Sequence, residues 1–391
     1  MNFFITRQPV FYKTESIFGY KLIYSPLSNE PDDEDIENSN LLDSIMSIGK
    51  QTLSSGKKIF LDFSSSLLEK DFLYRKDTFV HITKDIPGDS LSVCRELKKA
   101  GYYIALNSDC LEIQENIINH CDLVVVDFRN KNAEYFCGEL IKLFSPKIFA
   151  DNISTRRSFD KAVICGCTYF NGEYFKMPVS EGKKPLSGNR FVYIELLKEA
   201  NSPDPDFQKI EFLIKKDVTI TYTLLKYINS AAFYFVNDIT SVKQALALLG
   251  QKGTVKWLSW IVLSVMSQKK PGEIITLSLI RATFSEEIAE KIGYINSFNF
   301  FIMGLFSFLD IMLDCPMKEA LKEIPVSSEI KDALLGIDND YKLIHDLVLA
   351  YEQGNFQKVL EITNSFNIEA REIILAYIKA LSSVTENLLT A

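Results

Sequence analysis

The period of the hydrophobic pattern in this 391-residue chain changes near residue 180, and that change limits the folds open to it. Up to Pro178, short β-branched and aromatic runs alternate with helical stretches: a strand over Leu123 to Val126, a helix over about Ala133 to Phe144, then a strand over Lys147 to Ala150. Strand-like runs joined by helical segments signal βα units around a parallel sheet or barrel. Beyond the break, apolar residues recur at a period of about 3.6, with Leu196, Leu197 and Ala200 on one helix face and Leu224, Leu225 and Ile228 on another. Between the two lies a polar stretch rich in Gly, Ser and Pro, Ser180 to Asn189, which reads as a linker. The expected organisation is an α/β domain over 1–179, a linker over 180–190 and an all-α domain over 191–391. About 180 residues is short of the ~250 of a typical eight-stranded βα barrel, so a barrel here is expected to have trimmed or missing helices.

Composition narrows the function classes. With 47% apolar and 24% charged residues the chain has ordinary globular composition and enough length for two or three cores. A formal charge of −8 argues against a nucleic-acid surface, which would show a basic face. The start of the chain lacks an export-signal pattern, and the most apolar stretches, 257–266 and 298–309, fall short of the ~20 residues needed to span a membrane. Seven cysteines without framework spacing read as reduced thiols of a cytoplasmic protein. Cys165-Gly166-Cys167 has no second pair and reads as buried or incidental thiols rather than a zinc site. The acidic run from Glu30 to Glu37 reads as a solvated loop or helix start rather than a metal site.

The first half carries a resemblance. Arg7-Gln8-Pro9-Val10-Phe11, Gly19-Tyr20-Lys21-Leu22-Ile23-Tyr24, Lys58 to Phe63, Phe79 to Lys84, Gly101 to Asn107, Asp122 to Asp127, Ile148 to Thr155 and Phe170 to Phe175 follow one another as do the motifs of the EAL family of cyclic-di-GMP phosphodiesterases, which this half resembles. The resemblance implies a barrel whose strand ends hold two divalent cations, which activate water for attack on a phosphodiester. It places Lys21, Asp62, His81, Asn107, Ser108 and Val125 where the family has Glu, Asn, Glu, Asp, Asp and Lys. Asp151 stands in place of a catalytic Glu, Ser154 in place of the next acidic residue, and Ser25 in place of an Arg that holds phosphate. Mg²⁺ and Mn²⁺ need hard oxygen ligands. An ammonium ~4 Å from a cation costs about 4 kcal/mol per unit charge pair at an effective dielectric near 20. Histidine suits softer metals, and valine supplies no cation for a scissile phosphate.

The second half resembles the HDOD domain through Ile214 to Val218, Leu224 to Phe233 with its Asn-Ser-Ala-Ala-Phe, Ile239 to Val242, and Gln244-Ala245 with Leu248-Leu249-Gly250. Arg281-Ala282, Gly304 to Ser307 and Tyr351-Glu352 are similar to later parts of two-domain EAL-HDOD signalling proteins. These motif residues also have structural readings: Asn229 and Ser230 can bond backbone groups at a helix end, and Gly250 can form a left-handed cap. The chain has three histidines, and only His345 lies in the second half, so a His/Asp metal cluster cannot be assembled there. His345-Asp346 reads as a helix-surface pair, and Trp257-Leu258-Ser259-Trp260 as core.

The expected fold is therefore α/β plus all-α: a degenerate, shortened barrel of EAL type followed by a helical HDOD domain. The expected function is non-catalytic signal transduction or scaffolding through protein contacts, with homodimerisation open. No catalytic, ligand-binding or metal residue and no cofactor are assigned, and neither nucleic acid, membrane nor cyclic-di-GMP is an expected partner. The alternative is a residual cyclic-di-GMP phosphodiesterase or receptor using Asp62, Asp127 and Asp151 with Asn171.

Overall fold

The computed structural model describes residues 3–27, 34–64, 66–69, 72–83, 90–109, 115–144, 146–177, 190–202, 204–230, 233, 238–266, 270–322, 324 and 326–390. Except for Arg190, the linker expected at 180–190 lies outside these residues, as do Glu30 to Asp33 of the acidic run. The chain divides into two compact units, the first comprising Met1–Met177 and Leu349–Ile378, the second Pro178–Val348 and Lys379–Ala391.

Eight strands of the first unit close a barrel in sequence order: β1 (Phe3–Tyr12), β2 (Ile17–Pro26), β3 (Lys58–Asp62), β4 (Thr78–Ile82), β5 (Tyr103–Asn107), β6 (Leu123–Asp127), β7 (Ile148–Asp151) and β8 (Tyr169–Asn171). Strands β2 to β8 are parallel to their neighbours, whereas β1 runs antiparallel to both β2 and β8. An antiparallel pair can be joined by a hairpin, while a parallel pair needs a crossover. The chain accordingly turns from β1 to β2 within Tyr12 to Ser16, closed by a 2.9 Å bond from the Tyr12 N–H to the Ser16 carbonyl.

Crossovers from β2 to β3 and from β3 to β4 carry α1 (Glu34–Ile48), α2 (Lys50–Ser54) and α3 (Ser66–Glu69). Later ones carry α4 (Ser90–Ala100) before β5, α5 (Ala133–Phe144) before β7 and α6 (Arg156–Ile164) before β8. Among the described residues, the β5–β6 connection has only the 3₁₀ turn Glu115–His120. The hairpin and this connection account for the barrel's short length.

Alternate residues of each strand point inward. Val10, Phe60, Phe79, Ala105, Leu123, Val125, Phe149 and Tyr169 form the barrel interior, with Phe18 packed against it. Phe18 stacks on Tyr169 at 4.1 Å between centroids, and Phe60 on Phe79 at 4.8 Å. One inward step further along the parallel strands places Asp62, His81, Asn107, Asp127, Asp151 and Asn171 at the carboxyl end. Gly172 follows with φ +140°, and a Cβ there would lie 2.2 Å from the Ile153 carbonyl oxygen, so only glycine fits.

The second unit is helical, with α7 (Arg190–Ala200), α8 (Phe207–Lys215), α9 (Val218–Ile228), α10 (Val242–Met266), α11 (Glu273–Ile292), α12 (Phe298–Phe306), α13 (Leu309–Leu313), α14 (Met317–Ala320), α15 (Ser328–Leu334) and most of α16 (Asp340–Glu352). Aspartates start two of them: Asp206 accepts from the N–H groups of Gln208 and Lys209, and Asp217 from those of Thr219 and Ile220, which satisfies otherwise orphaned donors. Trp257 is buried, as expected of core. No helix of the described residues is long and apolar enough to cross a membrane.

The end of the chain departs from the simple two-part expectation. Residues 349–378, which hold α17 (Phe356–Ser365) and the first part of α18 (Ala370–Thr390), pack with the barrel. Phe4 of β1 stacks on Phe356 at 5.0 Å and meets Tyr351 edge-on at 5.9 Å. The Tyr351 hydroxyl donates to the Ile5 carbonyl at 3.2 Å, and Thr6 bonds the Tyr377 hydroxyl at 3.2 Å. A strand joined by a hairpin has no crossover helix to cover its outer face, and this returning segment supplies that cover to β1. The helical half thus contributes to both units, and the 191–391 boundary does not coincide with a compact body.

Candidate functional site

At the carboxyl end of the barrel, each surviving carboxylate is held by a cation of the same chain. The Lys21 Nζ lies 2.8 Å from Asp151 Oδ2, with the two side chains only 22% and 6% exposed. Register places Lys21 inside because it pairs with the inward Phe60 of β3. Burial opposes the Lys21 ammonium, but the carboxylates of Asp151, Asp62 and Asp127 outweigh it and raise its pKa above the ordinary lysine value. The Asp151 Oδ1 accepts from the N–H of Asn152 at 3.0 Å.

Asp62 and His81 are register partners on β3 and β4, and His81 Nδ1 lies 3.0 Å from Asp62 Oδ1. Burial works against the Asp62 carboxylate, yet His81 and then Lys21 bring its pKa below the usual aspartate value. Asp127 ends β6 and is gripped by Arg129, two residues on, whose Nε lies 2.9 Å from Oδ2 and whose backbone N–H lies 2.8 Å from Oδ1. Against the effect of burial, Arg129 lowers the Asp127 pKa. Arg129 was not singled out from the sequence, although its position directly after the strand-end aspartate was the available signal.

The other strand-end positions are structurally engaged or apolar. Asn107 Oδ1 accepts from the Asp109 N–H at 3.1 Å, which caps the turn after β5. Asn171 is buried and donates to the Pro9 carbonyl at 2.9 Å, tying β8 to β1. Ser108 is buried, Val125 belongs to the interior cluster, Ser154 is exposed and Ser25 is half-buried. The cavity bounded by Lys21, Phe60, Asp62, His81, Ala105, Val125 and Phe149 has a volume of about 10 Å³. Among the described residues, no three His, Cys, Asp or Glu side chains are grouped to hold a metal ion. The six cysteines within the described residues are free thiols, with Cys137 and Cys167 buried 3.8 Å apart.

Residues 190–334 match the HDOD domain family. YuxH, an uncharacterized protein of Bacillus subtilis (strain 168), is 30% identical over 407 residues, an alignment that covers 97% of this chain and 98% of that protein. The chain belongs to the EAL-HDOD family. Another relative of this EAL-HDOD chain, the cyclic di-GMP phosphodiesterase CdgJ of Vibrio cholerae serotype O1, is 26% identical over 91% of this chain and 86% of its own length. Among solved structures, a standalone EAL protein from Vibrio cholerae O395 in its c-di-GMP-bound form is similar over 44% of this chain and 91% of its own, at 16% identity and a TM-score of 0.36. An EAL domain protein from Listeria monocytogenes EGD-e covers the same share of this chain and 87% of its own, at 14% identity and a TM-score of 0.33.

The motif residues of the HDOD part hold backbone in place. Asn229 ends α9, where its Nδ2 donates to the carbonyls of Leu225 and Ile239 and its Oδ1 accepts from the Ile239 N–H at 2.7 Å. Ala231 and Ala232 lie outside the described residues. Gly250 has φ 65° and ψ −176°, so it kinks α10 rather than capping it in the left-handed helical conformation. A Cβ on Gly304 would lie 2.5 Å from the Arg281 carbonyl oxygen, so α11 and α12 cross there at backbone contact. Arg281 completes the crossing, with its guanidinium 3.8 Å from the Phe308 ring centroid and Nη1 3.1 Å from Ser307 Oγ. Tyr351-Glu352 anchors the returning segment within the first unit: beside the Tyr351 bond to β1, Glu352 pairs with Lys176 at 2.5 Å. His345 is half-buried on α16 rather than on its open surface.

Proposed function

We propose that this EAL-HDOD chain is a non-catalytic member of the cyclic-di-GMP signalling lineage and acts through protein partners. The observation that carries this reading is the Lys21–Asp151 ion pair. Two divalent cations need a concentration of free anionic oxygens, and here an ammonium holds the most buried carboxylate while His81 and Arg129 engage the other two. The donor set does not fit a two-metal centre. A space of about 10 Å³ among these side chains holds little more than one water. Ser25 offers no guanidinium fork for a phosphate.

The test is incubation of the full chain with cyclic-di-GMP and Mg²⁺ or Mn²⁺. The expected result is no linear dinucleotide above a buffer blank, whereas metal-dependent release abolished by Asp151→Ala would overturn the reading. Calorimetry is expected to give no saturable binding of cyclic-di-GMP tighter than about 1 μM.

Output through protein contacts is supported by apolar side chains on the outer faces of α8 and α9. Val218 and Tyr222, one turn apart, are 83% and 67% exposed, and Phe212 is 58% exposed. Since the end of the chain packs with the barrel, the contrast to draw is between the full chain and full-chain Tyr222→Glu. Loss of a native partner in the substituted chain supports the assignment, and retention of every partner would remove it from these helices.

A further inference from the structure

The largest hollow described in the second unit has a volume of about 600 Å³ and lies between the end of α7, the kinked middle of α10, the start of α12 and the start of α15. That size suits a small organic ligand, since sites for such molecules span about 300–1,000 Å³.

Its chemistry is uneven in an informative way. The floor is aliphatic, formed by Val255, Ile302 and Ile330, each at least nine-tenths buried, with the half-buried ring of Phe298 beside them. Around this floor stand the carboxamides of Asn201, Gln251, Asn296 and Asn299. Asn201 Nδ2 is committed to the Leu197 carbonyl and Asn299 Nδ2 to the Tyr341 hydroxyl, which leaves their carbonyl oxygens as acceptors. Gln251 and Asn296 are exposed, with no side-chain bond among the described residues, and keep both donor and acceptor. Lys252 is the one charged residue of the lining, and it has no carboxylate partner among the described residues.

We propose that this hollow binds a small anionic ligand built on a planar, amide-edged ring, in the class of a nucleoside monophosphate. Carboxamides present paired donors and acceptors that match the edge of a nucleobase. The flat aliphatic floor and Phe298 cover the ring faces, as aromatic and apolar side chains do for unstacked bases. Lys252, in a lining without any carboxylate, receives the phosphate. A fatty acid would leave the amides unpaired at a cost, and a cationic ligand would meet Lys252 with no anion to offset it. The proposal concerns the HDOD part alone and is independent of the reading of the barrel site.

Calorimetric titration of the full chain with GMP and with AMP tests it, with guanosine and inorganic phosphate as separate arms. At least one nucleotide is expected to bind saturably at one site per chain. Guanosine and phosphate alone are each expected to bind about tenfold or more weakly than that nucleotide. Lys252→Ala should weaken binding about tenfold and reduce its salt dependence, and Asn296→Ala should weaken it about fivefold. Both positions are exposed, so the fold is retained, and Lys57→Ala in the first unit should leave binding unchanged. No saturable binding of either nucleotide up to about 5 mM, binding insensitive to both substitutions in the hollow, or phosphate binding as tightly as the nucleotides would each overturn the proposal.

Discussion

The strand-end site of the barrel and the motif of the HDOD part invite opposite interpretations of the same kind of resemblance. In the barrel, the framework follows the EAL pattern while the charge-bearing residues differ: the strands close, yet Lys21, Asn107, Ser108 and Val125 replace the ligands that the family pattern calls for. In the HDOD part the motif residues are kept, and those within the described residues have a mechanical task, with Asn229 binding the backbone of Ile239 and Gly304 allowing α12 to touch α11. A kept residue can therefore mark backbone geometry alone. A replaced residue can alter a site's charge while its strand stays in register.

The comparison breaks first if the barrel does not depend on the returning segment. Tyr351→Ala with Phe356→Ala removes two aromatic side chains from the outer face of β1. Single Phe→Ala changes in cores cost about 3–5 kcal/mol, and a whole domain is stable by about 5–15 kcal/mol. The double variant is expected to lose the cooperative unfolding of the first unit, read by urea denaturation. A midpoint equal to that of the parent would show that the segment is dispensable.

Next in size is Lys21→Met, which leaves Asp151 buried without its counter-ion. A loss of about 3–5 kcal/mol is expected, with recovery of most of it in Lys21→Met/Asp151→Leu, because an apolar pair of similar volume can replace a buried ion pair. If the single substitution is neutral, the ion pair does not organise the site.

For the HDOD part, Gly304→Ala is expected to cost about 1–3 kcal/mol through overpacking against Arg281, and Asn229→Ala about 1–3 kcal/mol through the unpaired backbone groups of Ile239. Both are expected to leave the unfolding of the first unit unchanged. Neutral outcomes would return these motif residues to the list of ligand contacts.

The smallest effect is the dependence on pH. Asp62 and Asp127 have folded-state pKa values below the ordinary 3.8, so their contribution is complete above that value and is lost as pH falls through the folded values. Lys21 lies above the ordinary 10.5, so its contribution is complete below that value and is lost as pH rises through its folded pKa. Lys21→Met should therefore flatten the alkaline limb of a stability profile, and an unaltered limb would assign that limb to other groups.

Much of the barrel was legible in the sequence because its strands are short, apolar and bounded by helices of distinct period. The strand expected over 123–126 is observed as Leu123–Asp127, and the helix expected over 133–144 as Ala133–Phe144. The strand-end positions were legible too, since alternation fixes which side chains face inward. Their pairing was not, because whether Lys21 meets Asp151, 130 positions away, depends on closure of the barrel. The returning segment escaped the pattern for a related reason: an amphipathic helix records that one face is covered and carries no information about which core covers it. The role of Gly304 was hidden similarly, since close approach between helices is a property of the pair.

The placement of residues 349–378 also bears on the order in which the protein is made. Ribosomes add residues from the amino end, and domains generally fold as they emerge. The eight strands leave the ribosome well before the aromatic side chains that cover β1, so the nascent barrel must wait while the HDOD residues are translated. Early termination within the last fifty residues would deprive the oldest part of the molecule of its cover, a vulnerability that a barrel complete in its own first 180 residues would not have.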